Sequence, residues 1–247
     1  MTILQEIDTL KARLADLRPL TQAELKRLRD EFIIESSYNS NAIEGNTITL
    51  RETALILNDG ITIAEKPLRE HLDIIGFKDA FQFVFDTVAQ QEALSERTIK
   101  DIHALVLMGA AEHRGRYRSI PVRILGAENE PVAPHFIAEE MRRMLADYQE
   151  KLAQIHPIAA IAWLHLRFES IHPFIDGNGR TGRLLLNLEL LKHGYLPVDI
   201  KFTDRLQYYR CFDDFHQSGG NPEMLCGLIA AYEKAELERY IAILSCT

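Results

Sequence analysis

The segment "IHPFIDGNGRTGRLLLN", residues 171–187, concentrates most of the reactive side-chain types of this chain. It places a histidine, an acid, a Gly-Asn-Gly turn and two arginines directly ahead of an apolar helical stretch. Core segments of this length are ordinarily apolar and repetitive. The composition therefore indicates a functional site.

Gly177-Asn178-Gly179 stands where a helix from about Arg180 to His193 is predicted to begin. Free backbone N–H groups and the positive end of the helix dipole attract anions there, and glycine lets the backbone approach closely. A purely structural turn would look the same, but Arg180 and Arg183 lie three residues apart on one helix face. Cations at a helix N-terminus are unfavourable by roughly 0.3–1 kcal/mol each without a compensating anion. We therefore expect a phosphate at this turn.

Asp176 and His172 complete the candidate site. Asp176 would repel a phosphate unless a cation such as Mg²⁺ lay between them, although a helix-capping aspartate fits its spacing equally well. His172 is either a core histidine or a proton acceptor at cellular pH, and its neighbours favour the acceptor. Zinc is not expected, because His165 lies seven residues upstream of His172 and no thiol is near.

Charge, cysteine usage and hydropathy limit the class of protein. The net charge of -8 opposes long-range attraction to nucleic acids or anionic membranes, and neither is expected as a partner. No apolar run reaches about 20 residues, and charged residues occupy the N-terminus, so we expect neither export nor membrane insertion. An odd number of cysteines without CxxC spacing argues against disulfides and fits the reducing cytoplasm. These cysteines are Cys211, Cys226 and Cys246.

Hydrophobic periodicity predicts an all-α fold. An amphipathic first helix ends before Pro19, and Thr-x-x-Glu capping patterns begin further helices at Thr21 and Thr49. Asn58-Asp59-Gly60 ends the helix that Thr49 begins. Helical stretches are also predicted at 66–90, 96–108, 135–152 and 157–171, with a last helix opening at Asn221-Pro222.

Only "YRSIPVRILG", residues 117–126, reads as a strand, because β-branched and polar residues alternate there before the turn "GAENEP". A lone hairpin is marginal in water, so we expect one small flap at about 116–132, lying over the helices and presenting an edge.

The segment "HPFIDGNGRTGR" fits the whole signature of the Fic (Fic/Doc) family, HxFx(D/E)GNGRxxR. "SNAIEG", Ser40 to Gly45, resembles the inhibitory motif of Fic proteins with an N-terminal inhibitory helix, and "GRYRSIPVRILG" resembles the flap. "AIEGNTITLRE" and "DRLQYY" are similar to the Fic domain of metazoan endoplasmic-reticulum members. The resemblance covers roughly residues 35–235. It implies a Fic-fold helical bundle, with N-terminal helices at 1–60 and the Fic core at 61–247 packed as one unit.

The resemblance also implies a reaction, the Mg²⁺-dependent transfer of AMP from ATP to a Ser, Thr or Tyr hydroxyl. The hydroxyl would belong to a target protein or to the chain itself. His172 would be the base and Asp176 would hold Mg²⁺. The remaining motif residues would bind the phosphates: Asn178 with the Gly177 and Gly179 amides at the α-phosphate, Arg180 at the β-phosphate and Arg183 at the γ-phosphate.

Other roles implied by the resemblance lie outside the motif. Tyr208 and Tyr209 would line the adenine pocket, while His216 stands where an asparagine is expected and leaves base selectivity open. Val122 and Ile124 of the flap would pair with the target as an added strand. The inhibitory residues would be Ser40, Glu44 and Gly45, with Glu44 pairing with Arg183.

Three alternatives stay open at this point. The chain could remove AMP, with Glu44 positioning water, or transfer UMP or phosphocholine. A non-catalytic nucleotide-sensing or toxin-like regulatory module is the alternative of another class, and the intact His172 argues against it. Target, activator and oligomeric state, a homodimer included, are not specified by the sequence.

Overall fold

The computed structural model describes residues 1–124 and 130–245, and within these ranges the chain is all-helical. The α-helices in chain order are α1 (Ile3–Ala15), α2 (Gln22–Ile43), α3 (Leu50–Asp59), α4 (Leu68–Gln90), α5 (Glu96–Val106), α6 (Ile137–Gln154), α7 (Pro157–Ile171), α8 (Asn178–Lys192), α9 (Arg205–Gln217) and α10 (Glu223–Ser245). Short 3₁₀ turns at Pro134–Phe136 and Phe202–Asp204 precede α6 and α9.

Local capping chemistry begins several of these helices where the sequence predicts. Thr21 and Thr49 each close a capping box with the glutamate three residues later, which satisfies two free N–H groups at the start of α2 and α3. Pro157 occupies the first turn of α7, as expected. Gly60 ends α3 in the left-handed conformation, with φ 67°. The predicted capping boxes and the stop at Gly60 are thus confirmed.

The two helices that flank the motif, α7 and α8, form the centre of the bundle. α6 and α10 pack on α7, while α4 and α5 pack on α8. Both central helices are buried along nearly their whole length, so the loop between them is held at both ends by the core. α1 packs on α10, where Lys234 Nζ lies 2.7 Å from Glu6 Oε2.

The C-terminal half of α2 is fixed near the start of α8 by a polar clamp. Asn39 donates from Nδ2 to Asp199 Oδ2 at 2.7 Å and accepts at Oδ1 from the Phe202 backbone N–H at 3.0 Å. Lys201 Nζ neutralises the same Asp199 carboxylate at 2.8 Å. These contacts place the last turn of α2, including Ser40, beside the site.

The predicted flap has a different local structure from the one expected. Its described parts, residues 116–124 and 130–132, contain no β-strand, and most of the turn, residues 125–129, lies outside the described residues. The backbone carbonyls of Ile120 and Val132 accept hydrogen bonds from the buried Arg118 guanidinium. A two-stranded ladder alone is only marginally stable in water. Here the Arg118 side chain donates to backbone carbonyls that a ladder would use as acceptors.

None of the helices in 1–124 and 130–245 is long and apolar enough to span a membrane. Of the three cysteines, Cys211 and Cys226 are buried free thiols, and Cys246 lies outside the described residues.

Candidate active site

A cavity of about 390 Å³ opens where the end of α2, the start of α8 and helix α9 meet. Its walls include Glu44, His172, Gly179, Arg183 and Ile124. The cavity therefore brings together the predicted base, one glycine of the turn, the second arginine, the inhibitory glutamate and one flap residue.

His172 ends α7 in the left-handed conformation, with φ 50° and ψ 60°, which is uncommon for a residue other than glycine. Its backbone N–H donates to Phe168 O at 3.0 Å, and its carbonyl accepts from Arg118 Nε at 2.8 Å. Burial lowers the pKa of His172 to about 4, so the ring is neutral near pH 7. Nδ1 is buried and has no hydrogen-bond partner among the described residues, which leaves Nε2 for the cavity.

The loop after His172 is closed by Asn178. The Asn178 side chain accepts from the Phe174 backbone N–H and donates to the Phe174 carbonyl, both at 2.9 Å. Phe174 stacks on His103 with 3.6 Å between ring centroids, and His103 Nε2 contacts the Asp176 carbonyl at 3.0 Å. The Asn178 side chain thus holds the loop in shape, and its backbone N–H remains for a ligand.

The start of α8 has the geometry of an anion site. Gly177 caps the helix with φ 76°, and the first intrahelical bond runs from Thr181 N to Gly177 O at 3.0 Å. The N–H groups before Thr181 therefore point out of the helix. A Cβ atom at Gly179 would lie 2.3 Å from Glu44 Oε1, so this glycine allows a carboxylate to approach the helix end.

Arg183 binds the end of α2 through three hydrogen bonds. Nη2 donates to Glu44 Oε1 at 2.7 Å and to the Ser40 carbonyl at 2.9 Å, and Nε donates to Ser40 Oγ at 2.9 Å. Burial opposes the charge of the guanidinium, but the Glu44 carboxylate and the Tyr208 hydroxyl together outweigh this and raise the pKa of Arg183 above its ordinary value. Gly45, with φ 91°, turns the chain away directly after Glu44.

Arg180 is buried and paired with an acid that the sequence did not single out. Its Nη1 donates to Asp73 Oδ1 at 2.5 Å and to Asn41 Oδ1 at 3.4 Å, and its Nη2 lies 3.7 Å from Asp176 Oδ1. Asp73 comes from α4, so α4 fixes the orientation of Arg180 toward the loop.

The Asp176 carboxylate already has a cationic neighbour. Arg69 Nη2 lies 2.6 Å from Oδ2, and Oδ1 accepts from the Gly177 backbone N–H at 2.6 Å. Within the described parts of the chain, no group of three His, Cys, Asp or Glu side chains could hold a metal alone. The half-exposed Asp176 carboxylate fits an ion such as Mg²⁺, whose remaining coordination positions are filled by phosphate oxygens and water.

Comparison with known proteins identifies the family. The Fic/DOC family model matches residues 93–190. The solved structure of Fic-1 from Caenorhabditis elegans (residues 134–508) is 30% identical with a TM-score of 0.84, covering 99% of this chain and 72% of that one. This chain belongs to the Fic/DOC family.

Two further similarities extend the comparison of this Fic chain. A Fic domain containing signaling protein from Bacteroides thetaiotaomicron is 26% identical with a TM-score of 0.85, covering 97% of both chains. The protein adenylyltransferase Fic of Nematostella vectensis is 33% identical over 97% of this chain and 56% of its own length. The chain spans about half the length of the curated relatives that it matches.

The two tyrosines expected at the base pocket of the Fic chain differ in their surroundings. Tyr208 is buried, its hydroxyl contacts His165 Nε2 at 2.7 Å, and the Arg183 guanidinium lies 5.9 Å from its ring centroid. Tyr209 is 42% exposed and donates to the Ile43 carbonyl at 3.1 Å. Both line the cavity, as does His216, whose Nε2 lies 3.4 Å from Ser170 Oγ.

Val122 is partly buried, and Ile124 is the flap residue in the cavity wall. The sequence analysis did not single out several side chains that shape the site, among them Asp73, Arg118 and Glu169. Arg118 is 5% exposed and binds carbonyls at the end of α7, while Glu169 carries a largely buried carboxyl group one turn before His172. None of them belongs to a recognisable spacing, so only tertiary contacts reveal them.

Proposed function

We propose that this Fic chain transfers AMP from ATP to a hydroxyl group of a target protein, with Mg²⁺, and that Glu44 holds it inactive. The observation that carries the proposal is an anion already bound in the site: the Glu44 carboxylate lies beside Gly179 and pairs with Arg183 in the same cavity as His172. The Nematostella relative named protein adenylyltransferase supports the same reaction.

In the proposed reaction the target hydroxyl oxygen attacks the α-phosphorus of ATP. The bond from that phosphorus to the bridging oxygen of the β-phosphate breaks, and pyrophosphate leaves. Nε2 of His172 takes the hydroxyl proton, since a neutral imidazole is available at neutral pH. The chain otherwise acts by orienting groups and neutralising charge.

The phosphates would lie along the start of α8. The N–H groups of Asn178 and Gly179 would face the α-phosphate, joined by that of Gly177 once Asp176 Oδ1 no longer accepts from it, with Arg180 at the β-phosphate and Arg183 at the γ-phosphate. The Arg180 pair with Asp73 keeps that guanidinium oriented, but it also competes for its donors. A γ-phosphate can take the same Arg183 donor only after Glu44 leaves it.

Mg²⁺, when bound, would neutralise phosphate charge beside Asp176. The Arg69 guanidinium now contacts the Asp176 carboxylate, which supports a cation site at this position. Arg69 is exposed enough to move aside, because its side chain is 71% accessible.

Target and base recognition belong to the same proposal. Ile124 and Val122 would contact the target backbone, and Tyr209 with His216 would contact the base. A cytoplasmic location and a homodimer remain predictions.

A second candidate is hydrolytic removal of AMP. It is favoured by the 40% exposure of the Glu44 side chain, which faces the cavity that also contains His172. In that reaction Glu44 would orient the attacking water.

ATP labelled separately at the α- and γ-phosphate distinguishes these functions. The wild-type chain, Glu44→Gly and Glu44→Gly/His172→Ala would each be incubated with a lysate and Mg²⁺. Above the labelling of the lysate alone, we expect α-label, without γ-label, to enter protein with Glu44→Gly and not with the double variant, while calorimetry shows that the double variant still binds ATP. Loss of α-label from pre-modified protein only when Glu44 is present would favour AMP removal instead. Incorporation of γ-label above that of the lysate alone would refute both.

A further inference from the structure

Glu169 lies one helical turn before His172, and the reaction described above does not use it. Its side chain is 11% exposed, and its Oε2 lies 3.8 Å from His172 Nδ1. Glu169 Oε1 and His172 Nδ1 are both buried without a hydrogen-bond partner in the part of the chain that the structure describes. Unpaired buried polar atoms are unfavourable, so such a pair beside a reacting group indicates a functional role.

Helix α8 leaves room for this carboxyl group. A Cβ atom at Gly182 would lie 2.3 Å from Glu169 Oε1 and 3.2 Å from His165 Nδ1. His165 Nε2 in turn contacts the Tyr208 hydroxyl at 2.7 Å. His165, Glu169 and His172 thus follow one another along one side of α7, with Tyr208 of α9 at the His165 end and Gly182 of α8 facing the middle of the row.

Building on the proposed AMP transfer, we propose that Glu169 is a positioning residue for His172. Its carboxylate accepts a hydrogen bond from Nδ1–H of His172, so that Nε2 faces the cavity without a proton. When Nε2 takes the proton of the target hydroxyl, the same carboxylate stabilises the imidazolium. Glu169 gains and loses no proton in this step.

The electrostatics connect this role to Glu44. Burial raises the pKa of Glu169 to about 8, Arg183 opposes the rise and Glu44 adds to it. The carboxyl group is therefore largely protonated at neutral pH while Glu44 is in place. In the chain without ATP, withdrawal of Glu44 removes one of the two causes that raise the pKa of Glu169, burial being the larger, and shifts the group toward the carboxylate that His172 needs. The titratable and charged groups that face the pair from the surrounding elements are Glu44, Arg118, His165, Asp176, Arg183 and Tyr208.

Glu169→Gln tests the role, because the amide keeps the shape of the side chain and removes its charge. Made in the Glu44→Gly chain, it should lower kcat by about 10- to 100-fold, the range found when a carboxylate that orients a metal-binding histidine is lost. The KM for ATP should stay within about twofold, since the phosphate-binding groups are intact. Removing a negative neighbour lowers the pKa of His172, so the acidic limb of the pH profile should move to lower pH.

Glu140→Gln is the matched control. Glu140 is a partly buried carboxylate that contacts α7 through Arg167, on another part of the helix surface. The Glu140→Gln variant should leave the acidic limb of the pH profile in place. A general loosening of α7 would instead change both variants alike.

Nitrogen-15 NMR of the His172 ring, without ATP or target, provides the second measurement. In the Glu44→Gly chain we expect the Nδ1–H tautomer, and a lower pKa of His172 after Glu169→Gln. An Nε2–H tautomer in the Glu44→Gly chain, which retains Glu169, would overturn the proposal. So would an unchanged pKa and pH profile, because the backbone carbonyl of Glu169, which also acts on the ring, is retained in the variant. If Glu44→Gly transfers no AMP, the proposed function fails, while the NMR result still decides the role of Glu169.

Discussion

Arg183 holds the carboxylate of Glu44 at the first turn of α8. Nη2 lies 2.7 Å from Oε1, although the two residues are 139 positions apart in the chain. The guanidinium is almost fully buried, with 5% of the side chain exposed, whereas 40% of the Glu44 side chain is exposed. Glu44 therefore acts as an anion that an incoming phosphate must replace, and its exposed face gives it a way out.

Glu44→Gly should increase AMP transfer at least about tenfold, which corresponds to about 1.4 kcal/mol of competition removed. An exposed ion pair supplies only about 0–1 kcal/mol, but here Ser40 also fixes the buried guanidinium in the orientation that Glu44 uses. Self-modification with α-labelled ATP measures the increase. Glu44→Gln, which keeps the shape and loses the charge, should give an intermediate rate.

Glu65→Gly is the control for this substitution. Glu65 is an exposed acid outside the site with φ 64°, a conformation that glycine adopts without strain, so this change should leave the rate as in wild type. Equal labelling by Glu44→Gly and wild type across a range of ATP and Mg²⁺ concentrations would refute autoinhibition by Glu44.

Arg69→Ala should lower the Mg²⁺ concentration needed for half-maximal activity. The guanidinium lies 2.6 Å from Asp176 Oδ2, so a metal ion at that oxygen must displace it. The exposed pair between Arg69 and Asp176 is worth at most about 1 kcal/mol. We therefore expect the Mg²⁺ concentration for half-maximal activity to fall about two- to fivefold, because about 1 kcal/mol corresponds to about fivefold. Mg²⁺ titrations of both activity and ATP binding would measure it, with exposed Arg51→Ala on α3 as the control. A higher Mg²⁺ requirement would mean that Arg69 contacts the nucleotide instead.

Arg118→Lys should reduce transfer more than ATP binding. Arg118 donates to the His172 carbonyl at 2.8 Å and to the Ile120 carbonyl at 3.1 Å, and it also binds Val132, so it connects the flap segment to the base. Lysine cannot reproduce the planar set of donors, and we expect a loss of about 2–3 kcal/mol in the free energy of unfolding. Thermal unfolding, calorimetry and labelling would separate the effects. The exposed neighbour Arg116→Lys should change none of them.

The helices could be predicted from sequence because local chemistry specifies their ends. Thr21 and Thr49 begin α2 and α3 through their own side chains, and Pro157 begins α7 through its fixed φ angle. Helix α9 was not predicted, since only three of its residues, Tyr208, Cys211 and Phe215, are buried and charged residues surround them. The strand expected at 117–126 is absent from its described part, where the contacts of Arg118 with the distant carbonyls of His172 and Val132 outweigh a local β preference.

The candidate site likewise contains residues that the sequence predicts and residues that it does not. His172, Asp176 and Arg183 stand close together in the chain, so their shared position follows from one motif. Asp73 and Arg118 reach the site from distant segments, and nothing in their neighbours distinguishes them from surface charges. Their importance depends on burial and on partners, which are properties of the folded chain.

Glu233→Gln should stabilise the chain at pH 8 and not at pH 4.5. Glu233 is fully buried, accepts from the Leu196 backbone N–H at 3.0 Å, and its Oε2 has no partner within residues 1–124 and 130–245. Burial raises its pKa from 4.5 to about 7. Between these values the folded chain binds more protons than the unfolded chain, so its stability decreases as the pH rises from about 4.5 through about 7. The loss is at most about 3.5 kcal/mol, from about 1.4 kcal/mol per pKa unit, and the neutral amide avoids it. Urea unfolding at both pH values measures the difference, and the exposed Glu238→Gln on the same helix should show none. A variant that is equally destabilised at both pH values would mean that packing around Glu233, and not its charge, controls the effect.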